Sequence, residues 1–134
     1  FGERRMEKTR LEIKPEVDVF DLLRVDPVIL GMIAFTYEYC TQYNLKCMIT
    51  SLAEDVPGRK TKVHSDFRAV DFHSESWGDF HIARFQHEFR KVFKGKGAFN
   101  KAGEDRPIVY HKVDGGVSHF HMQVRRRNGN RTIV

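Results

Sequence analysis

The run Val117-Ser118-His119-Phe120-His121-Met122-Gln123-Val124 constrains the fold of this chain more than any other stretch. Side chains on a strand alternate between its two faces. Val117, His119, His121 and Gln123 therefore share one face, and Ser118, Phe120, Met122 and Val124 share the other. Such a strand can bury its apolar face in a core while presenting two imidazoles to a cavity. An upstream run, Arg68-Ala69-Val70-Asp71-Phe72-His73, divides in the same way, with Val70 and Phe72 on one face and Ala69, Asp71 and His73 on the other. If the two strands share a sheet with apolar faces together, Asp71 and His121 meet. His64, on the preceding loop, is within reach of both. Two imidazoles and a carboxylate suit zinc with one coordination position left open. The alternative reading of these histidines is structural: half-buried side chains that hydrogen-bond within the sheet.

The rest of the chain supplies elements to carry those strands. Residues 1–16 are highly charged and read as an arm, with Leu11 and Ile13 as a short edge strand; residues 17–134 read as one domain. Val19, Phe20, Leu22 and Leu23 predict a short helix or turn packed on the core. Asp26-Pro27 is a helix start, since Asp caps free backbone N–H groups and Pro is tolerated in the first turn. Ile29, Leu30, Ile33, Tyr37 and Cys40 then recur at helical spacing, and Asn44 suits a left-handed helix end. Leu45–Leu52 reads as a strand, and residues 53–63 as a polar loop. Asp79 is the expected cap of a second helix reaching Phe93, with Ile82, Phe85, Phe89, Val92 and Phe93 on one stripe. That stripe is a core face rather than a stacking platform for bases. Lys94–Arg106 is expected to be a flexible loop, Pro107–Val113 a strand, and Asp114-Gly115-Gly116 a hairpin turn. The order predicts an α+β domain: a mostly antiparallel sheet with two main helices packed on it.

Composition narrows the partners. The chain has 134 residues, is 40% hydrophobic and 31% charged, and carries a net charge of +5. That is the composition of a single globular domain, and no apolar run is long enough to span a bilayer. The positive balance favours anionic partners such as a cell-wall polymer, an acidic protein or nucleic acid. No signal peptide pattern is visible, which predicts a cytoplasmic or virion-associated place. Cys40 and Cys47 are too few for a disulfide framework; they flank the turn from helix to strand, which allows a bridge, but read first as two buried thiols. Among the remaining histidines, His73 is positioned to support a ligand and His111 to border the cavity, whereas His81 and His87 are expected on the solvated side of the second helix.

His64 and Asp71, followed downstream by His119-x-His121, resemble the zinc signature of the D-alanyl-D-alanine carboxypeptidase and hedgehog-type peptidases, a group that includes phage L-alanyl-D-glutamate endolysins. The resemblance spans residues 26–124. The strand ending in Ile49-Thr50-Ser51, Ala69 before the aspartate, and the helix between the two motifs also fit it. It implies a hedgehog or D-Ala-D-Ala peptidase-like fold, and Zn2+ held by His64, Asp71 and His121. His119 would stand beside the metal as a transition-state group. The implied substrates are peptidoglycan stem peptides or related peptides, with Ser51 and Arg59 as substrate contacts. Three positions depart from the family pattern: Phe67 replaces a glycine, Glu54 an arginine, and Ser118 the acid three residues before the last ligand. A serine cannot take a proton from metal-bound water at neutral pH. Asp114, on the neighbouring turn, is the carboxylate that would take that role.

Two other readings compete. Without the acid, the domain could be a zinc-binding structural or virion-associated module that performs no hydrolysis. His119-Phe120-His121 is also a His-hydrophobe-His motif of the kind found in single-stranded DNA nucleases of rolling-circle replication, where a metal works beside a tyrosine. Tyr37, Tyr39 or Tyr110 would have to serve as that tyrosine, and His64 and Asp71 would go unexplained.

Overall fold

The computed structural model describes residues 9–53 and 66–126. The expected ligand His64, the expected substrate contact Arg59 and most of the 53–63 loop lie outside the described residues. The elements run in the order β1 (Leu11–Ile13), a 3-10 helix (Val19–Leu23), α1 (Pro27–Tyr43), β2 (Cys47–Ser51), β3 (Ala69–His73), α2 (Asp79–Val92), β4 (Ala98–Phe99), β5 (Asp105–Arg106), β6 (Ile108–His111) and β7 (His119–Gln123). The main sheet has the order β1-β2-β3-β7-β6. Its β1–β2 pair is parallel and the others are antiparallel. The domain is thus α+β, with two helices and a mostly antiparallel mixed sheet. No helix among the described residues is long and apolar enough to cross a membrane.

Both helices meet the apolar side of the central strands. Phe120 packs on Phe85 of α2 and on Trp77 just before it, with ring centroids 5.1 and 4.9 Å apart. Thr36 of α1 reaches the Met122 sulfur at 3.7 Å. Phe72, Phe120, Met122 and Ile108 are fully buried there. Helix α1 begins as its sequence predicts, with the Asp26 carboxylate accepting from Val28 N at 2.9 Å. It ends on Asn44 in the left-handed region, at φ 55° and ψ 51°. The buried stripe is shifted from the expected one: Leu30 is exposed, whereas Met32, Thr36 and Tyr39 are buried. A polar Thr36 obscured that stripe, and its hydroxyl is satisfied within the helix by donating to the Met32 carbonyl at 2.8 Å.

Other expectations are corrected. Asp79 is the first residue of α2 rather than its cap; Gly78 caps without a side-chain bond, and Asp79 acts on the positive helix end by charge. Val92 is exposed, leaving Phe85 and Phe89 as the buried residues of that helix. His81 is not on a solvated face: its Nδ1 is 2.9 Å from the Tyr39 hydroxyl, and its ring lies 4.8 Å from that of Tyr43. The 3-10 helix exposes Val19, Phe20 and Leu23, and it is the flanking Val17 and Val25 that are buried.

The 94–106 segment is not a structureless loop but a small β4–β5 hairpin. Its organiser is Asp105, whose two carboxylate oxygens accept from Gly97 N at 2.7 Å and Gly95 N at 2.9 Å and pair with Arg125 at 3.2 Å. Gly97 abuts the Pro107 backbone so closely that any Cβ there would overlap it, which anchors the hairpin to the start of β6. Cys40 and Cys47 are free and buried. The hydrogen bond to Cys47, followed by burial, pushes the Cys40 thiol far above its ordinary pKa, so it stays protonated and unreactive.

Candidate metal centre

With one sheet face committed to the helices, the other collects the polar side chains of β3, β6 and β7. The β3–β7 register sets Asp71 directly across from His121 and His73 across from His119. The β6–β7 register sets His111 across from His119 and Val109 across from His121. Ser51, at the end of β2, is the cross-strand partner of Asp71 on its other side, next to an irregularity in the pairing. The register therefore brings together Asp71, His119, His121 and Ser51.

Asp71 is the buried centre of this group, at 6% exposure. Its Oδ1 lies 2.8 Å from His121 Nδ1, and its Oδ2 lies 3.9 Å from His119 Nε2. Two donors bound to one tetrahedral zinc at 2.0–2.2 Å stand roughly 3.4 Å apart. The Asp71–His121 pair, at 2.8 Å, thus has to open by about 0.6 Å to take an ion between its donors. A carboxylate and an imidazole nitrogen are a normal part of a zinc donor set, and the two residues fit that metal. No group of three or more His, Cys, Asp or Glu among the described residues is arranged to hold a metal. The third ligand, His64, would have to come from outside the described residues.

The far side of the His121 ring is also occupied. His121 Nε2 is 2.9 Å from Gln123 Oε1, and Gln123 Nε2 donates to the Arg106 carbonyl at 3.1 Å. His119 Nδ1 faces the Val117 carbonyl at 3.3 Å, which turns its Nε2 edge toward Asp71. The ring of the exposed His111 stands 5.0 Å from that of His119 and 5.8 Å from that of His121. Burial of its inner edge, then the neighbouring His119 and His121, lowers the His111 pKa, with Asp71 acting in the opposite direction. His73 does not join Asp71; its Nε2 accepts from Ser76 N at 3.3 Å and lies 3.0 Å from the Ser76 hydroxyl.

Ser118, at the position where the peptidases it resembles have an acid, is held structurally. It is buried, its hydroxyl accepts from Val113 N at 3.0 Å, and its carbonyl accepts from the Ser74 hydroxyl at 2.9 Å. Its amide donates to Glu75 Oε2 at 2.6 Å, so a carboxylate does stand beside it, supplied by the β3–α2 turn. Glu75 was missed in the sequence because the contact joins residues far apart in the chain. Asp114 sits at the exposed tip of the β6–β7 hairpin, at the same end of the sheet as Glu75.

Phe67 adopts φ 60°, the left-handed conformation that a glycine takes most easily. The backbone at Phe67 is thus glycine-like. The residue is held by the Asp26 amide on its carbonyl at 2.9 Å and by the Arg24 guanidinium 4.4 Å above its ring. Tyr110 lies on the core face against Phe120, and Tyr39 is buried against Trp77. Both are on the opposite side of the sheet from His111, His119 and His121.

Compared with known proteins, the chain matches no family model, no curated protein and no solved structure.

Proposed function

We propose that this chain is a zinc-dependent peptidase of the D-alanyl-D-alanine carboxypeptidase and hedgehog type, acting on the stem peptides of peptidoglycan in the manner of phage endolysins. The observation that carries the reading is the in-register Asp71–His121 pair, Oδ1 to Nδ1 at 2.8 Å, on the sheet face opposite the core. The left-handed backbone at Phe67, where the family pattern has glycine, supports it as well.

In this reading His64, Asp71 and His121 would hold the ion, which when bound would supply a water acidified to a pKa of about 7 and a Lewis acid for the scissile carbonyl. Asp114 would be the proton acceptor, since Glu75, the described carboxylate beside Ser118, is already tied to the Ser118 amide. His119, whose Nε2 edge is turned toward Asp71, would offer an N–H to the oxygen on which charge develops. Ser51, beside Asp71, and Arg59 bind the substrate backbone and carboxylate. A net charge of +5 suits an anionic wall.

The test is metal content and hydrolysis of purified peptidoglycan fragments for the parent chain, His64→Ala and His121→Ala. The proposal expects one zinc per chain and zinc-dependent cleavage in the parent, and loss of both in each variant. Unchanged zinc and unchanged cleavage in the variants refute it.

The structural role of Ser118 favours one rival, a zinc-binding domain that performs no hydrolysis. One zinc per chain with no turnover on those fragments selects the rival; zinc-dependent cleavage eliminates it.

A further inference from the structure

The environment of His121 is asymmetric in a way that determines which ring nitrogen can meet a metal. Gln123 is the cross-strand partner of Ala69, two positions beyond His121 on the same strand face. Its amide NH2 donates to the Arg106 carbonyl at 3.1 Å. A carbonyl only accepts, so this bond fixes the orientation of the amide and leaves Oε1 pointing at His121 Nε2, 2.9 Å away. An amide oxygen also only accepts. His121 Nε2 must therefore carry a hydrogen, and the nitrogen on which a cation would displace a proton is Nδ1, which bonds Asp71 Oδ1 at 2.8 Å. We propose that Gln123 is the positioning residue of the metal centre: through the Arg106 carbonyl it holds His121 in the Nε2–H form, with Nδ1 aimed at the ion.

The inference rests on the zinc reading of Asp71 and His121 and adds to it a residue, a ring nitrogen and a relay. The relay is Arg106 carbonyl, Gln123 amide, His121 imidazole. A metal-binding histidine that donates its other N–H to a fixed acceptor is oriented and made a better donor, and loss of such an acceptor weakens metal binding about 10–100-fold. Arg106 belongs to the β4–β5 hairpin, which Asp105 and Gly97 lock to the sheet. The orientation of the ligand is thus referred to a rigid neighbour rather than to a mobile surface group.

Three chains decide it: the parent, Gln123→Met, which keeps the length and removes both polar ends, and Gln123→Glu, which keeps an acceptor for Nε2–H. Zinc dissociation constants are measured by chelator competition at pH 7. The parent is also loaded with 113Cd, and its one-bond coupling to the 15N-labelled His121 ring is recorded. The expected results are coupling to Nδ1, zinc binding weakened 10–100-fold in Gln123→Met, and only partial recovery in Gln123→Glu, which again accepts from Nε2–H but cannot donate to the Arg106 carbonyl. Coupling to Nε2, or a Gln123→Met chain that binds zinc as the parent does, overturns the role of Gln123 and leaves the zinc reading standing. A Gln123→Met chain that does not fold leaves the decision to the coupling measured in the parent. A parent that binds neither ion refutes the zinc reading, and this inference with it.

Discussion

Replacing Asp71 by asparagine separates what this residue does for the fold from what it does for a metal. Asp71 is 6% exposed and accepts at 2.8 Å from His121 Nδ1. The amide introduced by Asp71→Asn has the same shape and can turn its NH2 toward a neutral Nδ1. The hydrogen bond then survives with its direction reversed, and the metal-free chain should lose no more than about 1–2 kcal/mol. A neutral amide, however, is a poor zinc ligand. In the parent, free zinc at 100 times its dissociation constant should stabilise the fold by about 2.7 kcal/mol. For 134 residues, with an unfolding entropy of about 2.1 cal/mol/K per residue, that is a rise in Tm of about 10 °C. Asp71→Asn should show almost none of it. The assay is calorimetric or circular-dichroism melting of both chains, with chelator and with buffered zinc. An equal zinc-dependent rise in the two chains would refute the placing of Asp71 on the metal.

Phe120→Ala should destabilise the domain by about 3–5 kcal/mol in urea unfolding, since the ring is fully buried among Trp77, Phe85 and Tyr110. Phe80→Ala, at an exposed position, should change stability by less than about 0.5 kcal/mol. The His73 pKa is lowered from 6.5, first by burial and then by Lys46, and its Nε2 accepts from Ser76 N. The unfolded chain therefore binds the proton first as pH falls, so this residue makes stability drop below about pH 6.5; His73→Gln should flatten that part of the profile in urea titrations. Asp114→Asn should keep its zinc and lower kcat on peptidoglycan fragments by about 10²–10⁴. A drop confined to Glu75→Gln would transfer the proton acceptor to Glu75.

The strands that carry the site were legible because their period of two is unambiguous. The alternation in Arg68–His73 and Val117–Val124 placed Asp71 with His121, and the register puts them directly opposite each other. Helix α1 was legible at both ends, through Asp26-Pro27 and Asn44, yet its buried face was misread because Thr36 satisfies its hydroxyl on its own helix and so can be buried. His81 looked solvated because its partner, Tyr39, lies on the other helix. The β4–β5 hairpin was hidden among glycines and lysines; its organiser, Asp105, works through backbone amides that leave no side-chain pattern. The same limit conceals Glu75 and the link from Gln123 to Arg106. Each joins a side chain to a backbone group that only the folded chain brings near.

The most direct test of the zinc centre is X-ray absorption at the zinc edge, on a metal-free chain reloaded with one equivalent of zinc. The account predicts one tightly bound ion with nitrogen and oxygen neighbours at about 2.0–2.2 Å, two of them imidazoles, and no sulfur. In His121→Ala the imidazole scattering should fall and tight binding should be lost. Absence of tight binding in the parent, or a sulfur shell at about 2.3 Å implicating Cys40 and Cys47, would contradict the assignment of zinc to Asp71 and His121.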